Sequence, residues 1–335
     1  MARYGMLGHV KFTFQETFGL MDTTSSQAFP ILGETISQKI DRSQLKNMTG
    51  GLSKTKSIDS RRGANGTVSM LGYPTALAYG LMSIFENTSV FSSAFEHTFQ
   101  VASNDYSNYV ATNMMTVEVN RDEGANSQFY QDMNGGSFVI NIETGELVNF
   151  DLELLGTGQQ EDTKTVATYL TEKPFKWDQC SIQLDGAAEF DFEMVSISVN
   201  NHLEPRNTLV NTYSAQKIKR TEEVSIEISA SMIVQSNSYW QAFIGQNEHA
   251  FGLDMANADG NKIAFSIPNM HLTAYDSNIS GPGIIEANFT AEAFYSPTSL
   301  AMLVTVVNSE PLLHSPFILD DDYYGLLDQD YNFLT

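Results

Sequence analysis

The 335-residue chain is poor in positive charge, in cysteine and in tryptophan, and it has no long apolar run. It carries 18 Lys plus Arg against 40 Asp plus Glu, a formal net charge of −22. So acidic a chain lacks the basic footprint needed to neutralise phosphates, which argues against nucleic-acid binding. The single cysteine, Cys180, excludes an internal disulfide and a cysteine-rich metal site. Within Trp177-Asp178-Gln179-Cys180-Ser181-Ile182 it reads as an inert residue beside a strand. No run reaches the ~18 apolar residues of a membrane span. The opening Met1-Ala2-Arg3-Tyr4-Gly5-Met6 has no apolar signal core, so assembly in a cytoplasm is expected.

Motifs for chemistry are missing as well. There is no P-loop, dinucleotide fingerprint, His-Glu-x-x-His or nucleophile elbow. The histidines, His9, His97, His202, His249, His271 and His314, are scattered without ligand spacing. Glu189, Asp191 and Glu193 would share one strand face, an arrangement that suits glycoside hydrolysis, but an exposed polar face accounts for them. Asp254 to Gly260 lacks the ligand pattern of a calcium loop and reads as a turn. No catalytic residue, metal ligand or cofactor is therefore assigned.

What the chain does have is period-2 alternation. Met115, Val117 and Val119 alternate with Thr116, Glu118 and Asn120. Phe150, Leu152 and Leu154 alternate with Asn149, Asp151 and Glu153. Val224, Ile226 and Ile228 alternate with Ser225, Glu227 and Ser229, and 285–292 follows the same rule from Ile285 and Glu286 to Ala291 and Glu292. Such segments are strands with one buried and one polar face, as in antiparallel sheets. In 190–199 the apolar face switches from Phe190, Phe192 and Met194 to Val195, Ile197 and Val199, which predicts a β-bulge. Asn134-Gly135-Gly136, Glu143-Thr144-Gly145, Asp185-Gly186, Asp259-Gly260 and Ser280-Gly281-Pro282-Gly283 predict turns. Helical spacing appears over 74–85, opened by Pro74, and over 237–244, with Ser236 as its cap.

The order of these elements is repeated. Strand, polar basic loop, strand, helix and further strands occur from about residue 29 and again from about residue 190. Thr67-Val68-Ser69-Met70 aligns with Ser225-Ile226-Glu227-Ile228, and Phe150-Asp151-Leu152-Glu153 with Phe289-Thr290-Ala291-Glu292. The fold expected is mainly β: two duplicated antiparallel β-sandwich or half-barrel units, each with a flanking helix. An insertion falls in the first copy within 86–135. The expected division is an arm (1–28), two β-units (29–165 and 166–310) and an acidic tail (311–335). The tail interleaves Tyr323, Tyr324 and Tyr331 with Asp320, Asp321 and Asp322. Loops 41–65 and 200–221 hold ten of the 18 basic residues, at matching places in the two copies. Lys54, Lys56, Arg61, Arg62, Lys217, Lys219 and Arg220 are the candidates for docking on an acidic surface.

Gly8-His9-Val10-Lys11-Phe12-Thr13-Phe14-Gln15-Glu16-Thr17-Phe18-Gly19, the strand Phe29 to Ile36, the strand and helix Gly66 to Phe85, and the paired strands before Val199 together resemble the tail tube proteins of siphophages. The likeness is to the type with two tube domains in one chain. It implies a structural virion protein, not an enzyme, that assembles with itself as homotrimeric, pseudo-hexameric stacked rings. Its implied partners are the tape measure, terminator and distal tail proteins. DNA would pass through the lumen without specific binding, and no membrane is involved. Its place would be the virion tail, assembled in the host bacterial cytoplasm. The acidity then suits a lumen that repels phosphate, with Glu118, Asp151, Glu153, Glu227, Glu286 and Glu292 as candidate lumen-lining acids. The basic loops would bridge rings. Two other readings are a minor or distal tail protein that initiates the tube and, from another class, a carbohydrate-binding β-sandwich protein. Trp177 and Trp240 are few for a sugar platform.

Overall fold

The computed structural model describes residues 8–308 except 16, 24–25, 46–55, 88–95, 101–113, 123, 210–211, 235–236, 279–284 and 296–299. The Ser236 cap, the 280–283 turn, Lys54 and the acidic tail fall outside the described residues. In chain order the first half forms β1 (His9–Phe14), β2 (Gln27–Phe29), β3 (Ile31–Glu34), β4 (Ser37–Leu45), β5 (Lys56–Leu71), α1 (Pro74–Ile84), β6 (Glu86–Asn87), β7 (Glu96–Gln100), β8 (Met115–Asn120), β9 (Asn126–Glu143), β10 (Asn149–Gly156) and β11 (Gly158–Thr163). The second half forms β12 (Cys180–Leu184), β13 (Ala187–Glu189), β14 (Phe192–Asn200), β15 (Leu203–Arg206), β16 (Lys217–Arg220), β17 (Ser225–Ile233), α2 (Ser238–Gly245), β18 (His249–Ala256), β19 (Lys262–Asn278), β20 (Glu286–Ala293) and β21 (Leu303–Val307).

The protein is mainly β, and the strand pairs among its described residues are antiparallel, as the alternation requires. One sheet runs in the order β3/β4–β5–β10–β9–β14–β17–β20–β19. Its inner face is apolar, with Val68, Phe138, Phe150, Ile197, Ile228 and Phe289 all buried. Two further sheets cover that face. The first is β2–β1–β8–β9–β11 and the second is β13–β12–β18–β19–β21, extended by β7 and β6. The long strands β9 and β19 each belong to two sheets. β9 makes the crossing at Asp132, whose φ is 55°, and at Asn134-Gly135-Gly136. The sequence marks that triplet as a turn; it is a bend inside one strand. Asp132 is buried, and its carboxylate accepts from Gly19 N at 2.7 Å, Gln15 Nε2 at 3.2 Å and Thr157 Oγ1. Three donors offset the cost of burying the charge.

The pairing diagram of the two halves is the same. β9 joins β8, β10 and β11 as β19 joins β18, β20 and β21, while β1 and β2 stand where β12 and β13 stand. The stretch 1–28, expected as an arm, contains β1 and the first two residues of β2, and Val10 and Phe12 lie in the core with Phe29. The register places Val68 opposite Leu152 and Ile228 opposite Ala291. With Leu152 and Ala291 equivalent, as the sequence aligns them, Val68 corresponds to Ile228, two residues beyond the alignment of the first pair of strands. β6 and β7, in the inserted segment, have no counterpart among the described residues, and β7 pairs with β21 of the other half.

Local expectations mostly hold. β14 has its register shift between Phe192 and Met194. Asp185 and Gly186 both have positive φ, 52° and 78°, in the two-residue turn joining β12 and β13. The helix α1 starts at Pro74 behind Tyr73, which caps nothing with its side chain. Glu172 supplies the cap from afar, accepting from Thr75 N at 3.1 Å and Thr75 Oγ1 at 2.5 Å. The segment 41–65, expected as a loop, is instead largely the β4–β5 hairpin, and 200–221 contains the β15–β16 hairpin. Cys180 is half-buried, and burial with the nearby Asp178 charge pushes its thiol up to about 12, which suits an inert residue.

Candidate functional site

The outer face of the long sheet collects what the alternating strands leave over. One row across it reads Ser69, Asp151, Val139, Ser198, Glu227, Glu292 and His271, each opposite the next. A neighbouring row reads Thr67, Glu153, Ser137, Asn200 and Ser225. These rows carry four carboxylates and five hydroxyl side chains against one apolar position, Val139, and no Lys or Arg. Glu286 lies on the same face of β20 as Glu292. The face positions Asp151, Glu153, Glu227, Glu286 and Glu292 are exposed or half-buried, so their charges stay hydrated.

Two details give the face its character. Glu227 stands directly opposite Glu292, and like charges in that position destabilise a sheet. The register also makes Glu153 and Glu292 equivalent, since Glu153 pairs with Thr67 as Glu292 pairs with Glu227. Small donors sit beside the acids: Ser137 Oγ donates to Glu153 at 3.0 Å, Ser229 Oγ to Glu227 at 3.4 Å and Ser69 Oγ to Asp151. The two rows are acidic and hydroxyl-rich and hold no Lys or Arg, suited to repelling a polyanion rather than holding one.

Glu118 does not belong to this face. It sits on β8, buried, beneath residues 164–169, which cross the outer side of the β2–β1–β8 sheet. Its carboxylate accepts from Thr165 N at 3.0 Å, Thr165 Oγ1 and His9 Nε2 at 3.3 Å, with Lys11 Nζ 3.9 Å away. Burial alone would raise its pKa; the hydrogen bonds from His9 and Thr165 outweigh burial and hold it at about 2. Its folded value is depressed, so its contribution is complete above the ordinary value of 4.5 and is lost as pH falls from there towards about 2. That window corresponds to about 3 kcal/mol. Glu118→Gln is expected to flatten the acid limb of stability, measured as urea midpoints between pH 5 and pH 2.5; an unchanged limb contradicts the assignment.

The basic residues divide. Arg42 Nε and Arg62 Nη2 donate to Asp59 at 3.1 and 3.0 Å, and the two guanidiniums, Arg62 first, hold its carboxyl below the usual range. Arg62 also lies 5.7 Å over the ring of Tyr213, and its backbone N–H donates to Tyr213 O at 2.9 Å. The β4–β5 hairpin is thereby tied to the segment between β15 and β16. Arg220 Nη2 donates to Asn201 Oδ1 at 3.1 Å, and Asn201 in turn holds Ile84 O and Gly135 O. Arg61 and Lys217 are exposed, and Lys219 is half-buried. Lys56 begins β5, and Lys54 is beyond the described residues.

Sequence reasoning missed Arg121. Its Nε and Nη2 grip Glu34 at 2.6 and 2.8 Å, and Nη2 also donates to Ile36 O at 2.6 Å. The Glu34 hydrogen bonds raise its pKa further above the ordinary value. This clamp fixes the kink between β3 and β4. Glu189, Asp191 and Glu193 do not share a strand, because β13 ends at Glu189 and β14 begins at Phe192. Among the described residues, no group of three or more His, Cys, Asp or Glu is placed to hold a metal ion.

The family model described as phage tail tube protein matches residues 8–293. No curated protein matches the chain.

Proposed function

We propose that this chain, which belongs to the phage tail tube protein family, polymerises into stacked rings whose lumen conducts phage DNA. It is a structural protein of the virion tail. The observation that carries the reading is the pair of acidic rows across the long sheet, which draw carboxylates from both halves of the chain. Three copies would set six equivalent carboxylates, Glu153 and Glu292, around a ring. The duplicated halves, β1 to β11 and β12 to β21, are the tube units, and three chains give pseudo-sixfold symmetry. Repulsion between the lumen and phosphate lets DNA slide without sticking. Tape measure, terminator and distal tail proteins are its further partners, and assembly takes place in the bacterial cytoplasm. Tubes seen by negative-stain microscopy of the concentrated protein support this reading; a monomer that no tail initiator converts into tubes contradicts it.

The two basic hairpins are the ring-to-ring contacts in this reading. Arg61, Lys217 and Lys219 are the residues available to an acidic partner surface. Lys217→Glu with Lys219→Glu is expected to shorten tubes and lower the salt concentration at which they fall apart. Arg220 is spared in this test because its bond to Asn201 supports the fold. Unchanged tube length and salt stability would remove the hairpins from the interface.

A further inference from the structure

Resting on the ring reading, the geometry points to a specific lateral seam: the open edge of β19 in one copy pairs with β3 and the β3–β4 kink of a second copy, with Ala274 opposite Thr35. The same kind of junction is already present inside the chain. There, the second part of β9 pairs with β14, matching Val139 with Ser198 and Ile140 with Ile197. β19 is to the second half what β9 is to the first. Beyond Met270, however, no strand pairs along the edge of β19 that β18 leaves, among the described residues. β14 likewise corresponds to β3 and β4, since each lies along the same edge of its neighbour, β17 or β5. The outer edge of β3 has no strand beside it either, among the described residues. The two open edges lie at opposite ends of one sheet, so a single chain cannot join them.

The register follows from the ladders. Val139 and Ala274 occupy one position, because Val139 faces Asp151 and Ala274 faces Thr290, residues that correspond. Ser198 and Thr35 occupy one position, because Ser198 faces Glu227 while Thr35 is bonded to Thr67, which corresponds to Glu227. Two further observations fit a second copy at this seam. The clamp of Arg121 on Glu34 and Ile36 O holds the β3 end of the seam in place before any partner arrives. In addition, α1 is buried throughout, whereas only Ala242 of α2 is buried. Beside β19, Trp240 and Ile244 are 40% and 62% exposed. In this arrangement the second copy covers the exposed side of α2. Repeating one such seam closes a ring and leaves no sheet edge.

A disulfide tests the register. In a Cys180→Ser background, Thr35→Cys and Ala274→Cys are combined, tubes are assembled and oxidised, and products are separated without reductant. Paired strands bring such Cα atoms to about 5 Å, within reach of a disulfide. Covalent dimers and trimers, reversed by reductant, are the expected result. Thr35→Cys with Thr290→Cys, one strand farther at roughly 10 Å, is expected to stay monomeric on the gel. Tubes that form but do not cross-link, or cross-link equally in both variants, overturn the seam while the tube reading stands. If the wild-type chain forms neither rings nor tubes with or without a tail initiator, the tube reading fails and the seam with it. Trp240→Glu is expected to abolish rings with the thermal midpoint of the chain unchanged; rings that persist contradict the α2 contact.

Discussion

Phage carrying Glu153→Lys together with Glu292→Lys is expected to build tails of normal length and to fail at DNA delivery. Both side chains project from the polar face of the long sheet, away from the core, so assembly does not depend on them. Glu292→Lys even removes a like-charge pair with Glu227 and replaces it with an opposite-charge one, a change worth up to ~1 kcal/mol in favour of the fold. The chain should therefore gain slightly in stability while losing function. Two lysines per chain, repeated in every ring, convert a repulsive channel into one that holds phosphates. Each ~1.4 kcal/mol of retention slows release tenfold, so infectivity should fall by roughly tenfold or more. Isolated variant tubes should retain DNA at low salt and release it as salt rises, with a slope of about −0.9 per phosphate neutralised. A variant with wild-type infectivity and no DNA retention would remove these residues from the lumen.

The second large effect concerns Gly66. A Cβ there would stand 2.5 Å from Ile36 N and 2.6 Å from the carbonyl carbon of Thr35, and both are backbone atoms that cannot turn aside. Gly66 thus lets β5 pass against the kink between β3 and β4, where Arg121 also acts. Gly66→Ala is expected to cost about 3 kcal/mol or more and to lower the melting temperature by roughly 5 °C. Because the kink belongs to the proposed seam, rings should be lost at temperatures where the monomer is still folded. Gly136→Ala is the comparison: its nearest contact would be Glu153 O at an ordinary 3.7 Å. Equal melting curves for wild type and Gly66→Ala would contradict the close approach.

Much of the fold is legible in the sequence because alternation fixes which side of a strand is buried. Phe150, Leu152 and Leu154 face the core as expected, and Asp151 and Glu153 face out. The same periodicity leaves the alignment of the two halves ambiguous by two residues. A strand shifted by two residues keeps each side chain on its face, so Thr67 to Met70 matches Ser225 to Ile228 as well as it matches the segment two residues on. Only the ladder to β10 and β20 resolves the shift. The β4–β5 hairpin is hidden for another reason: Asp41, Arg42, Ser43 and Gln44 are exposed on both faces, which leaves no apolar rhythm to detect.

Glu118 marks the limit of reading one strand at a time. It alternates with Val117 and Val119 like any outward residue, yet the distant segment around Thr165 covers that outer face and buries it. Nothing within 115–120 distinguishes it from Glu153. The buried Asp132 and the remote cap from Glu172 depend likewise on residues far along the chain. The five remaining acids share one surface because β10, β17 and β20 belong to one sheet, an outcome of pairing between the two halves.

The most direct test is a cryo-electron microscopy reconstruction of the assembled tube. Rings of three chains are expected, with the face bearing Asp151, Glu153, Glu227, Glu286 and Glu292 turned to the channel, and β19 of each chain paired with β3 of the next. A channel lined by another face, or by basic side chains, would contradict this arrangement.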